Sequence, residues 1–62
     1  MTVGSKIIID NVKKSDILSG INKGDTGVIR KFDSLSRMFV RISLDKNPNI
    51  ERLICFSKIK QM

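Results

Sequence analysis

Apolar and polar residues alternate along much of this chain with a period of two, which is the pattern of half-buried β-strands. The alternation is cleanest between positions 37 and 44, where it predicts a strand with one apolar face and one basic face. The predicted apolar face carries Met38, Val40, Ile42 and Leu44, and the opposite face carries Arg37, Phe39, Arg41 and Ser43.

Four shorter apolar runs predict the other strands of a sheet. In the first run Ile7 and Ile9 share a face, and in the fourth we expect Ile54 and Phe56 to point inward. These four predicted strands are Lys6–Val12, Thr26–Asp33, Ile50–Phe56 and a short last strand that ends near Met62.

Polar segments rich in turn-forming residues separate the strands. Lys13 to Gly20 is predicted to be a polar loop with a single helical turn that starts at Ser15. The other predicted turns are Ser34–Ser36, Asp45–Asn49 and Ser57–Ile59. Five strands this short are too few for two sheets with full cores. We therefore predict one all-β domain over residues 1–62, a small barrel made of a strongly bent sheet.

The composition agrees with strands and argues against an enzyme. The chain has 62 residues, no alanine and ten isoleucines, and a domain of this size has little room to enclose a substrate. There is no histidine, no close pair of carboxylates and no nucleophile beside a base, so no catalytic residues are predicted. Cys55 is alone, so no disulfide, metal site or cofactor is predicted, and we expect it to be a small buried residue.

The charge points to a polyanionic partner. Twelve lysines and arginines against six acids give a net charge of +6, which favours nucleic acid, although a basic balance can also serve solubility alone. No signal-peptide pattern precedes the first strand, and a lone cysteine fits a reducing compartment, so we expect a cytoplasmic protein that does not enter a membrane. The lysine- and isoleucine-rich, alanine-free composition suits an AT-rich genome such as that of a bacteriophage or a low-GC bacterium.

Three of the four glycines lie within eight residues and lead directly into the predicted second strand. They belong to a longer pattern, Gly20-x-x-x-Gly24-x-x-Gly27-x-Ile29-x-x-Phe32, preceded by Gly4-x-x-Ile7-x-Ile9. This pattern resembles the KOW motif of the C-terminal domain of the transcription elongation factor NusG and of several ribosomal proteins. The strand order downstream, up to Phe56-Ser-Lys-Ile-Lys60, is also similar, so the likeness covers roughly residues 3 to 62.

The resemblance implies a five-stranded SH3-like barrel. It also implies a non-catalytic role in binding RNA, DNA or a protein of the transcription or translation machinery. One departure is the loop between Val12 and Gly24, which is longer here than in the NusG-type domain. Because partners often bind at such loops, the particular partner of the family is not carried over.

The sharpest site hypothesis is the face formed by Arg37, Phe39 and Arg41. An exposed aromatic ring between two guanidinium groups can stack a base while the arginines bind phosphates. Two alternatives stay open: a loop or Leu53 covers Phe39, or Phe39 anchors a protein partner such as RNA polymerase, a ribosomal protein or another host factor. The further candidate contacts, chosen by charge, are Lys13, Lys14, Lys23, Arg30, Lys31 and Arg52.

The glycine cluster allows two interpretations. The amides of the loop from Gly20 to Gly27 could contact phosphate, or the glycines could serve only turn geometry and close packing where the second strand begins. We favour the second, so Gly20, Gly24 and Gly27 are predicted to be structural turn residues. No phosphate-binding loop of the Walker type is predicted, because no glycine is followed by lysine and then serine or threonine.

Overall fold

Five β-strands form one antiparallel sheet in the computed structural model, which describes residues 1–62. Their order across the sheet is β4-β3-β2-β1-β5. The sheet is bent into a small SH3-like barrel. No backbone hydrogen bonds join its edge strands β4 and β5, so the barrel is not closed by strand pairing. The elements are β1 (Lys6–Ile9), α1 (Lys14–Leu18), β2 (Thr26–Phe32), β3 (Phe39–Leu44), β4 (Glu51–Cys55), a 3₁₀ helix (Phe56–Lys58) and β5 (Ile59–Gln61).

Most of the core is built from positions that the alternation predicts, and two further members are Ile21 of the β1–β2 connection and Ile59, which was predicted in a turn. Every second residue of a strand points to the same face, so the buried branched side chains of neighbouring strands meet on one side of the bent sheet. The predicted all-β fold with five strands is confirmed. The nine apolar core residues are Ile7, Ile9, Ile21, Ile29, Val40, Ile42, Leu44, Ile54 and Ile59.

Four predictions of burial are wrong. Met38 is exposed because β3 begins only at Phe39, and Phe56 is 37% exposed because β4 ends before it. Cys55 is partly exposed, since it lies opposite Phe39 and its neighbour Ile54 takes the inward position. Ser43, expected on the polar face, is buried between Val28 and Glu51 of the adjacent strands.

A β-bulge changes the register between β2 and β3. Ile29 lies opposite Ile42, but the next pair joins Lys31 to Arg41, so Arg30 is the extra residue. A bulge of this kind bends the strand and redirects the side chains that follow it. As a result Arg30 and Lys31 are both exposed, and two cationic side chains face each other across the ladder.

Helix α1 is short and buries none of its side chains, so polar contacts hold it on the barrel. Its start is set by the Asp16 carboxylate, which accepts the Lys13 N–H at 2.8 Å, and the helix therefore begins before Ser15. The same Oδ2 atom accepts the Lys58 ammonium at 2.6 Å, and both side chains of this pair are only 16% exposed. Asp16 thus links the loop after β1 to the 3₁₀ helix.

Acid should weaken this link. The hydrogen bonds from Lys58 and Lys13 lower the pKa of Asp16, so the folded state binds this proton less readily than the unfolded chain does. A depressed pKa gives stability that is present above the unfolded value and is lost as pH falls through the folded value. We expect the midpoint of thermal unfolding to fall between about pH 5 and about pH 2, and to fall less steeply in Asp16→Asn.

The matched control is Glu51→Gln, because Glu51 is exposed and takes part in none of the ion pairs. Circular dichroism at several pH values measures each midpoint. If Asp16→Asn keeps the full acid sensitivity of the wild type, the carboxylate does not contribute to stability in the way its contacts indicate.

Candidate functional site

All three phenylalanines of the chain lie at strand termini, at one end of the barrel. Phe32 is the last residue of β2, Phe39 is the first of β3, and Phe56 directly follows β4. Antiparallel pairing brings the end of β2, the start of β3 and the end of β4 to the same end of the barrel. The topology therefore gathers side chains that are far apart in sequence.

The three rings line a shallow cleft of about 270 Å³. Phe32, Phe39 and Phe56 are 40%, 39% and 37% exposed, so each side chain is partly packed and partly open to solvent. Three large aromatic side chains left half open at one place are unusual in a chain whose other residues supply no aromatic ring. The remaining lining residues are Asp33, Ser36 and Arg37.

One cation lines this cleft, and three more lie on the adjoining parts of β2 and β3. Arg37 lines it, and Arg41 lies two residues after Phe39 on the same face of β3. Lys31 lies opposite Arg41, and Arg30 is exposed at the bulge beside it. Like charges directly opposite each other destabilise a sheet, so an anion placed between Lys31 and Arg41 would relieve a repulsion that the free protein carries.

None of these four cations belongs to an ion pair. The three ion pairs of the structure join Lys46 to Asp25 at 2.6 Å, Lys58 to Asp16 at 2.6 Å and Lys60 to Asp10 at 3.6 Å. The positive charge at the cleft is therefore uncompensated by neighbouring acids within ion-pair distance. An unpaired cationic rim around an apolar floor suits a ligand that carries both phosphates and flat rings.

The cleft contains one carboxylate. Asp33 follows β2 directly, and its Oδ1 atom accepts the Leu35 N–H at 3.1 Å, which shapes the turn between β2 and β3. Its Oδ2 atom has no hydrogen-bond partner in the protein, so it keeps acceptor capacity at the wall of the cleft.

Three of the predicted contacts lie outside this surface. Lys13 and Lys14 are at the start of α1, Lys23 is in the turn before β2, and none of them lines the cleft. Lys23 precedes the first residue of β2, whereas the cleft lies at the last. The structure thus groups Arg30, Lys31, Arg37 and Arg41 with Phe39 and separates the three lysines from them.

The Arg52 side chain, predicted as a ligand contact, binds the protein's own backbone. Its guanidinium donates to the Ser19 carbonyl at the end of α1, and a Cβ added at Gly20 would lie 3.6 Å from its Nη2 atom. Because β4 is an edge strand, this contact fastens the long β1–β2 connection to it. The side chain is only partly exposed, so its guanidinium is engaged with the protein itself.

The glycines have structural roles of two kinds. Gly20 and Gly24 adopt φ of +92° and +91°, a backbone conformation that residues with a Cβ rarely adopt. Their amides donate to the carbonyls of Ile17 and Ile9 and are therefore not free to bind phosphate. Gly27 lies within β2, and its requirement is close packing against β3, not a turn.

No group of three or more histidine, cysteine, aspartate or glutamate side chains could hold a metal ion. The Ser57 hydroxyl lies 3.2 Å from the Cys55 sulfur and lowers the pKa of that thiol, but no base or second cysteine accompanies it. No helix of the protein is long and apolar enough to cross a membrane.

Of the six residues that line the cleft, the alternating pattern predicts two as site residues, Arg37 and Phe39. Phe32, Asp33 and Phe56 were predicted only as strand or turn residues, although each lies where a predicted strand ends. The signal was available, since antiparallel neighbours place the end of one strand beside the start of the next.

Comparisons with models of known protein families, with curated proteins and with solved structures found no match.

Proposed function

We propose that this protein is a non-enzymatic nucleic-acid-binding module and that the aromatic cleft is its binding site. The observation that carries the proposal is a cleft lined by three half-exposed phenylalanine side chains and Arg37, with the unpaired cations Arg30, Lys31 and Arg41 on the adjoining parts of β2 and β3. Aromatic rings stack bases, and arginine and lysine bind the phosphates between them. The net charge of +6 adds a long-range attraction to any polyanion.

The KOW-like glycine pattern supports a place for this module in transcription or translation. Proteins of that kind act inside the cytoplasm, and a phage-encoded factor is one concrete form of the proposal. The +6 charge and the cleft favour RNA or DNA as the ligand without choosing between them.

The direct test is a salt series of binding measurements. Fluorescence anisotropy of labelled RNA and DNA, single- and double-stranded, should show affinity that falls steeply between about 50 and about 200 mM salt. With four phosphate contacts on a single strand, log K should fall against log salt with a slope of roughly −3. Absence of salt-sensitive binding to all of these nucleic acids would overturn the proposal.

Removing one rim charge should change this slope. In Arg41→Gln one phosphate contact is lost, so we expect the salt slope of single-strand binding to become shallower by about 0.7 and the affinity to fall for every sequence. The same anisotropy series measures both effects.

Lys23→Gln is the matched control, because it removes one positive charge from an exposed lysine at the opposite end of β2. Equal slopes for the two variants would mean that only the net charge matters and that the rim of the cleft has no special role.

A protein partner is the second candidate function. Leu35 is 94% exposed and Met38 64% exposed on the β2–β3 turn, next to the cleft. Exposed apolar residues beside arginine and phenylalanine are typical of protein interfaces. A partner captured from nuclease-treated lysate and lost with Leu35→Ser would favour docking on RNA polymerase, a ribosomal protein or another factor.

A further inference from the structure

The dimensions of the cleft restrict the part of a nucleic acid that can enter it. Its volume of about 270 Å³ lies below the range of roughly 300–1,000 Å³ that is common for small-molecule pockets. It is also open to solvent, and three of its six lining residues are phenylalanines. A site of this size suits one flat ring system that projects from a larger chain.

A base can reach these rings only when it is unstacked and unpaired. In a duplex the base faces are covered by their neighbours, and opening a step costs energy that a shallow cleft does not repay by wrapping the strand. The cationic rim can follow the backbone of a single strand while one base inserts among Phe32, Phe39 and Phe56.

The carboxylate in the wall then sets which base is preferred. We infer that this cleft binds single-stranded nucleic acid through one inserted base and that the free oxygen of Asp33 selects guanine. Guanine presents two adjacent donors, N1–H and N2–H₂, on its Watson–Crick edge. Cytosine and adenine present one amine beside a ring nitrogen that repels the carboxylate, and uracil presents one N–H between two carbonyl oxygens.

The electrostatic setting strengthens this selection. Asp33 is half-buried, and no lysine or arginine lies within ion-pair distance of it, so its acceptor oxygen is not neutralised by the surrounding rim. A hydrogen bond to an ionised group is stronger than one between neutral partners. Uracil and thymine would place a carbonyl oxygen on each side of their single N–H against this carboxylate, and that repulsion penalises both bases.

This inference rests on the proposed nucleic-acid function, and the experiment separates the two. The probes are labelled oligouridylates of about seven nucleotides whose central base is uracil, cytosine, adenine or guanine, with the deoxythymidylate series alongside. A duplex that contains the guanine probe completes the set. We expect the guanine probe to bind on the order of tenfold more tightly than the uracil probe, and the duplex to bind more weakly than either.

The variant Asp33→Asn tests the carboxylate, because asparagine keeps the oxygen that accepts the Leu35 N–H while removing the charge. Glu51→Gln is the matched control, since it makes the same chemical change on an exposed residue that does not line the cleft. We expect the guanine preference to disappear in Asp33→Asn and to persist in Glu51→Gln, with both variants folded by circular dichroism.

The outcomes are distinct. Salt-sensitive binding with no preference among the four central bases overturns the guanine selection and leaves the proposed function standing. Equal or tighter binding of the duplex overturns the single-strand inference. A guanine preference that survives Asp33→Asn shows that another group reads the base, and absence of binding to every probe overturns the function and the inference together.

Discussion

Gly27→Ala should prevent the chain from folding stably. A Cβ at position 27 would clash with the Ser43 carbonyl oxygen and would lie 3.1 Å from the Leu44 Cα. Both contacts are with backbone, so no side chain can move aside, and β2 would have to separate from β3 at the centre of the sheet. We expect a loss of about 3 kcal/mol or more, against a total of roughly 3–9 kcal/mol for a domain of this length.

Thermal and urea unfolding followed by circular dichroism measures the effect. Gly24→Ala is the control, because Gly24 has a positive φ but nothing lies within 4 Å of its missing Cβ. Its cost should be limited to the backbone strain of about 1–2 kcal/mol. A Gly27→Ala protein as stable as Gly24→Ala would show that β2 and β3 do not pack as closely as the structure indicates.

The core of this fold was predictable because it depends on a local pattern. Alternation alone placed Ile7 and Ile9 on one face, and it did the same for Val40, Ile42 and Leu44, all of which are buried. A strand has only two faces, so the choice is binary once the period is recognised.

The exceptions lie where that local rule ends. Met38 and Phe56 continue the apolar pattern by one residue beyond a strand, and nothing local marks where pairing stops. The bulge at Arg30 is also non-local, because it exists only relative to the partner strand. It moves Lys31 to the face of Arg41, which no pattern within β2 could predict.

Polar contacts across the chain were equally out of reach. The Asp16–Lys58 pair joins residues 42 positions apart, and the Arg52 contact with Ser19 spans 33. Charge alone groups Arg52 with the other cations, because the charge of a residue does not show which distant residue its side chain contacts. The packing of a long loop against the barrel decided which cations remain free for a ligand.

The candidate site shows the same division. Phe39, Arg37 and Arg41 were predicted together because they alternate on one strand. Phe32 and Phe56 join them only through the antiparallel topology, and Asp33 joins through the turn that follows β2. A predicted strand order, and not only predicted strands, was needed to see the complete cleft.

Phe39→Leu should weaken nucleic-acid binding strongly while the domain stays folded. Leucine keeps an apolar side chain at the start of β3, so we expect a stability cost below about 1.5 kcal/mol. It removes the flat ring that a base would stack on, which contributes about 1–3 kcal/mol per base, and a loss of 1.4 kcal/mol is tenfold in affinity. Anisotropy with single-stranded probes at fixed salt, beside an unfolding curve for each protein, measures both quantities.

Ile17→Ala is the control for this change, because it truncates a comparably exposed apolar residue on α1, away from the cleft. It should leave the affinity unchanged. A folded Phe39→Leu protein that binds every probe as tightly as the wild type would remove the ring of Phe39 from the site. Unfolding of Phe39→Leu would instead place this side chain in the core, where its exposure of 39% does not put it. If Phe39→Leu stays folded and loses binding, the surface that contacts the bases is the end of the barrel where β2 and β4 end and β3 begins.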